Sequence, residues 1–177
     1  MGSQREENLP KRARESEKVV ARDMNHLKQI IDQRIREFGP NCDLNDIDVS
    51  HITNMSYMFK DSEFNGDISQ WDVSNVKDMS HMFYFSKFNG DISNWDVSSV
   101  EDTTCMFAGS RFNGDISNWD VSSVKYMGNM FLYSQFNKDI SNWNVSNVID
   151  MYCMFMGSPL EGNEPDWYED QDFIDLR

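Results

Sequence analysis

Thirteen residues, "FNGDISNWDVSSV", occupy positions 88–100 and return letter for letter at 112–124. The same frame gives "FNGDISQWDVSNV" from Phe64 and "FNKDISNWNVSNV" from Phe136, so the period is 24 residues. Trp71, Trp95, Trp119, Trp143 and Trp167 keep that step, and Ile47 takes the same place in a worn first copy, "CDLNDIDVSHI". A half-copy runs from Leu160 to Trp167. A unit this short cannot enclose a core of its own, so each copy must bury its apolar side chains against the next. The expected fold is therefore an α/β repeat solenoid: coils stacked at the 24-residue period.

The letters within a copy suggest what each coil contains. Ile68, Trp71, Val73 and Val76 stand at i, i+3, i+5 and i+8, and Asp72 separates Trp71 from Val73. That alternation predicts a short parallel strand with one buried face. Met79, Met82 and Phe83 follow at helical steps and predict a helical or 3-10 turn, and Phe64-Asn65-Gly66 then turn the corner. The columns headed by Met58 and Phe59 read as core. A cofactor role for so many methionines would need a second ligand type, and no cofactor is implied.

Upstream, Val20, Met24, Leu27, Ile31, Ile35 and Phe38 recur on one helical face, with Ser16 as N-cap and Gly39-Pro40 as the stop. An amphipathic helix is the expected cap for the open end of a stack. The division is then a mobile polar tail at 1–15 and an N-terminal capping helix at 16–39. About five repeats and a terminal half-repeat fill 40–167, and an acidic tail occupies 168–177.

The units "DISNWDVSSV…MF…FNGD" resemble the BspA-type leucine-rich repeat, the lipoprotein repeat of mycoplasmas and of many gut and oral bacteria, over about residues 40–167. The resemblance implies leucine-rich-repeat-like coils used for adhesion and partner binding, commonly at cell surfaces, with no catalytic residues to carry over. Many relatives carry a secretion signal or lipid anchor, and neither is legible here. The expected location is cytoplasmic if the start is native, and surface or secreted if a leader was removed.

Net charge is −14 and unevenly placed. Residues 1–40 hold nine Lys or Arg against seven Asp or Glu, whereas 41–177 hold seven against twenty-three. An acidic body repels phosphates, which argues against direct nucleic-acid binding and favours a basic protein partner. No apolar run approaches a membrane span. Cys105 and Cys153 share a column two coils apart, roughly 10 Å at the spacing of paired strands, too far for a disulfide.

Catalysis finds little support. His26, His51 and His81 fall in unrelated columns, so no catalytic dyad or triad is suggested. His81 and Cys105 share a column with Tyr57, Asn129 and Cys153, but two neighbouring ligands do not make a zinc site. The corner aspartates Asp43, Asp67, Asp91, Asp115 and Asp139 read as Asx-turns rather than calcium ligands.

Two surfaces remain as candidates. Asp48, Asp72, Asp96 and Asp120, ending in Asn144, form an acidic column on the outward strand face, either solvated or docking a basic partner. Stacked carboxylates repel by roughly 1 kcal/mol per neighbouring pair in water, a cost that Ser or Asn would avoid. The second is a variable edge, where Lys60-Asp61 gives way to Tyr84-Phe85, Ala108-Gly109, Leu132-Tyr133 and Met156-Gly157. Tyr84, Phe85, Leu132, Tyr133 and Met156 form either an apolar docking strip or local packing. The expected function is non-enzymatic protein recognition through one or both surfaces. The alternatives are an intracellular inhibitor or decoy that mimics nucleic acid, a surface adhesin, and a structural assembly component.

Overall fold

A computed structural model describes residues 18–168. The expected tail at 1–15, the Ser16 cap and the acidic tail after Tyr168 lie outside those residues. The order is β1 (Val19–Val20), α1 (Met24–Phe38) and β2 (Ile47–Asp48), and β1 pairs with β2 in parallel, Val19 opposite Ile47. The helix therefore begins later than its apolar spacing suggests. Asp23 caps it, accepting the His26 N–H at 2.8 Å. Val20 fits the helical face by spacing but is an exposed strand residue. Bonds from the Val19 and Ala21 N–H groups to the Asp46 and Asp48 carbonyls hold this segment extended.

Gly39 ends α1 with φ +85°, donating its N–H to the Ile35 carbonyl. Leu27 and Ile31 are buried in the same apolar cluster as Leu44 and Ile47. Arg34 also binds Asp46 at 2.6 Å, so α1 lies against the first copy.

Beyond Pro40, successive copies lie side by side. Parallel bridges join Asn54 to Asp78, Asp78 to Asp102, Asp102 to Tyr126 and Tyr126 to Asp150. Two expectations are corrected here. No strand forms at Trp71–Val73, because the Trp71 N–H turns back to the Ile68 carbonyl and the Val76 N–H to that of Val73. Bridges fall instead at Asp67, opposite Asp43, and at Asp78.

Nor is there a helical or 3-10 turn at Met79–Phe83: among the described residues, α1 is the last helix. The segment is a chain of β-turns. Tyr57, His81, Cys105, Asn129 and Cys153 have φ of 50–61°, and the residues four places on (Asp61, Phe85, Gly109, Tyr133, Gly157) have φ of 50–68°. Left-handed residues recurring this often cannot continue a right-handed helix, and they suit the third position of a type II turn.

The hydrogen bonds explain the choice. Met58 and Lys60 donate within the copy, to the Met55 and Tyr57 carbonyls. Met55, Tyr57, Phe59 and Asp61 donate outward, to the carbonyls of Asp78, Ser80, Met82 and Tyr84 at 2.8–3.1 Å. A helix would spend every donor within its own copy, whereas this turn ladder uses alternate donors to hold the copies together.

Three aromatic columns fill the core. Phe59, Phe83, Phe107, Phe131 and Phe155 stack near-parallel at 5.5–5.9 Å between neighbouring centroids. Phe64, Phe88, Phe112 and Phe136 do so at 6.0–6.3 Å. The tryptophans from Trp71 to Trp143 are buried, and each indole N–H donates to a carbonyl of the preceding copy, as Trp95 does to Ile68 at 3.1 Å. Trp167 repeats the bond to Ile140 at 3.0 Å. A buried indole N–H needs such a partner, and the bond also fixes how far each copy is rotated on the last.

Candidate interaction surfaces

The carboxylates of the acidic column are occupied by their own backbone. Asp72, Asp96 and Asp120 accept the N–H of Ser74, Ser98 and Ser122 at 3.0–3.1 Å, and Asp72 and Asp96 also accept the serine hydroxyl at 2.6 Å. Asp48 does the same with Ser50, and Asn144 with Ser146 at 3.2 Å. These are Asx-turns, in which a side-chain oxygen replaces a backbone acceptor. Asp72, Asp96, Asp120 and Asn144 remain exposed, with Asp48 partly covered. Hydrogen bonds from Ser50 and Ser122 hold the Asp48 and Asp120 carboxyls below the usual range.

The corner column behaves likewise. Asp67, Asp91, Asp115 and Asp139 accept from the serine two residues on at 2.9–3.0 Å, and Asp43 from Asn45 at 2.8 Å. The Asx-turn reading of these residues therefore stands. A third such column was legible but overlooked: Asp78 caps Ser80, Asp102 caps Thr104 and Asp150 caps Tyr152. Its signal is an Asn or Asp returning at the 24-residue step, at Asn54, Asp78, Asp102 and Asp150, with Tyr126 as the exception. Buried serines supply one more bend, Ser86 accepting the Phe88 N–H at 3.1 Å.

The variable edge is a different surface. Phe85 is 54% exposed, Tyr133 64% and Met156 41%, whereas Tyr84 and Leu132 are half-buried. Tyr84 meets Phe85 edge-on at 4.7 Å, and the Lys60 ammonium sits 5.5 Å from the Tyr84 ring centre. The Tyr133 hydroxyl points at the Met156 sulfur, 3.9 Å away. Tyr57 and His81 stack at 4.5 Å, and burial pushes the His81 imidazole below its ordinary pKa. Tyr126, Tyr152 and Ile149 are exposed as well, and the 24-residue frame could have singled them out, because each stands in a column that is otherwise polar or glycine. Among the described residues, no hydrogen bond, ion pair or ring contact joins the acidic column to this edge.

Another surface was also missed. Lys77, Glu101 and Lys125 stand one copy apart, with the Lys125–Glu101 pair at 2.6 Å and Lys77–Glu101 at 4.0 Å. They border a shallow trough of about 480 Å³ that includes Ser99 and Ser123. In the neighbouring copies Asn75 and Asn147 occupy that column and donate to the Ser50 and Ser122 carbonyls at 2.7 Å. The trough opens where serine replaces asparagine.

Cys42, Cys105 and Cys153 are free thiols, and burial raises the pKa of Cys42 and Cys105. Among the described residues, no helix is long and apolar enough to cross a membrane.

No curated protein and no solved structure matches the chain. A family model described as "Mycoplasma protein of unknown function, DUF285" matches residues 22–132 and again residues 85–168. Both matches run through the repeated units whose Asx-turns, tryptophans and turn ladder are described above, and together they span most of the sequence: the chain belongs to the DUF285 family.

Proposed function

We propose that this chain is a leucine-rich-repeat-like solenoid acting as a non-enzymatic protein-recognition module, and that its variable aromatic edge makes the contact. The exposure of Phe85 and Tyr133 carries the reading, because these side chains lie outside the core and stay largely in water even though each ring also packs on the glycine of the next copy. Large aromatic rings left in water are characteristic of interface centres. The acidic column is less suited to lead recognition, since each carboxylate already holds a backbone bend. Its remaining charge favours a partner that is basic around an apolar patch, by attraction over distance rather than by close contact.

The test compares proteins retained from a lysate of the source cell by three immobilised forms. Phe85→Ser with Tyr133→Ser should lose a partner that the unmodified chain retains, whereas Asp72→Asn with Asp96→Asn and Asp120→Asn should keep it with weaker salt dependence. The reverse outcome would assign recognition to the acidic face. A partner retained by both variants would place it on neither surface.

A further inference from the structure

Two adjacent copies in the middle of the stack forgo a hydrogen bond that the copies on either side make. Asn75 and Asn147 each donate a side-chain amide to a carbonyl of the preceding copy, that of Ser50 or Ser122, at 2.7 Å. Ser99 and Ser123 stand in the same column, and their side chains are too short to reach the equivalent carbonyls of Ser74 and Ser98. Among the described residues, neither those two carbonyls nor the hydroxyls of Ser99 and Ser123 have a hydrogen-bond partner in the protein.

The missing amides leave room. The trough over Ser99 and Ser123 holds about 480 Å³, within the range of small-ligand sites. Asn147 borders it, and Ile149, 63% exposed, gives it an apolar wall. Its charge also differs from its surroundings. Glu101 is shared between Lys125 at 2.6 Å and Lys77 at 4.0 Å, so the trough carries one positive charge in excess on an acidic body. A stabilising bond given up twice, both times at the same cavity, is the kind of local departure that marks a site rather than a scaffold.

We infer that the trough binds an acidic saccharide, a pyranose ring carrying a carboxylate. The ligand must bring donors to the Ser74 and Ser98 carbonyls, one copy apart, in place of the two missing amides. Hydroxyls on alternate carbons of a pyranose ring stand about 5 Å apart, which matches the spacing of paired chains. Each hydroxyl also accepts, as the Ser99 and Ser123 hydroxyls require. The C–H face of the ring covers Ile149. Lys77, the more loosely held of the two lysines, turns from Glu101 to the ligand carboxylate. An acidic peptide would satisfy the charge, but the N–H groups along one edge of an extended chain are about 6.8 Å apart and miss the copy step. Phe85 and Tyr133 do not line the trough, so this site is separate from the aromatic edge.

Titrations followed by amide NMR test the assignment, with methyl β-D-glucuronide as the probe and methyl β-D-glucoside and N-acetylglutamate amide for comparison. The glucuronide should bind saturably at millimolar concentration. It should shift the amides of Ser99, Glu101, Ser123 and Lys125 and leave those of Phe85 and Tyr133 in place. It should bind at least fivefold more tightly than either comparison compound, and Lys77→Gln should remove its advantage over the glucoside. Ser99→Asn with Ser123→Asn fills the trough with the side chain that the flanking copies use. That double variant should bind at least tenfold more weakly without melting lower. Absence of saturable binding, equal or tighter binding of the glutamate amide, an advantage that survives Lys77→Gln, or undiminished binding by the double variant would each overturn the proposal. Because every readout sits at the trough, failure here leaves the Phe85–Tyr133 reading untouched.

Discussion

The ring of Phe85 lies directly on Gly109, one copy further along. A Cβ at Gly109 would come within 2.8–2.9 Å of the Cδ1, Cε1 and Cζ atoms of that ring. Tyr133 covers Gly157 in the same way. Aromatic and glycine thus alternate along one column, each ring using the space that its neighbour leaves. Positive φ alone does not demand these glycines, since Asp61, Phe85 and Tyr133 hold φ of 50–53° in the same column. The close approach does. Gly109→Ala should therefore cost about 1–3 kcal/mol, the range of overpacking changes. In a Phe85→Ala background the part of the cost that comes from the ring should vanish, leaving the strain of an alanine at positive φ, and a denaturant-based double-mutant cycle would measure the coupling.

The tryptophan column predicts a graded series. Trp95→Ala should cost about 3–5 kcal/mol, as for other large-to-small core changes. Trp95→Phe keeps much of the apolar bulk but leaves the Ile68 carbonyl without its indole donor, so a further loss of about 1–3 kcal/mol is expected beyond packing. Trp167 is only partly buried, and Trp167→Ala should cost less than Trp95→Ala. Equilibrium denaturation of the three variants gives the order.

The Asx-turns make stability depend on acid. Bonds from serine N–H groups hold the Asp67, Asp91, Asp115 and Asp139 carboxyls below their ordinary pKa, as the Ser122 hydroxyl does for Asp120. With the folded pKa depressed, their contribution is complete above the unfolded value of about 3.9. It is lost as pH falls from there through the folded values. Melting temperature should thus be flat in this respect above about pH 5 and fall steeply below about pH 4. Asp120→Asn should flatten the fall while leaving neutral-pH stability nearly unchanged, since Asn144 already accepts from Ser146 in the same column. Asp120→Ala should cost about 0.5–1.5 kcal/mol at neutral pH, the worth of one lost hydrogen bond.

Ser99→Asn and Ser123→Asn should each stabilise the chain. Asparagine at those places can reach the Ser74 and Ser98 carbonyls, as Asn75 and Asn147 reach those of Ser50 and Ser122. A gain of about 0.5–1.5 kcal/mol per site is expected from the added bond. Thermal melting of the double variant measures it, and an unchanged melt would mean that the Lys77–Glu101–Lys125 side chains resist closing the trough.

Some of this molecule is set by the sequence alone. A strict period brings identical side chains face to face, so Trp71, Phe83 and Met82 could be placed in the interior from their spacing. Burial depends on the pattern and needs no knowledge of the backbone path. The corner aspartates were legible for a related reason, because an Asx-turn is a contact between residues two apart. The backbone path was decided elsewhere. Met79, Met82 and Phe83 keep helical spacing, yet outward bonds to the next copy hold His81 and Phe85 left-handed and make a ladder of turns. Val20 fits the helix by pattern, but pairing with β2 draws its segment into a strand. The fit of Phe85 onto Gly109 is likewise set between copies. These outcomes turn on which partner a backbone N–H or a ring meets 23 or more residues away, and local spacing does not carry that information.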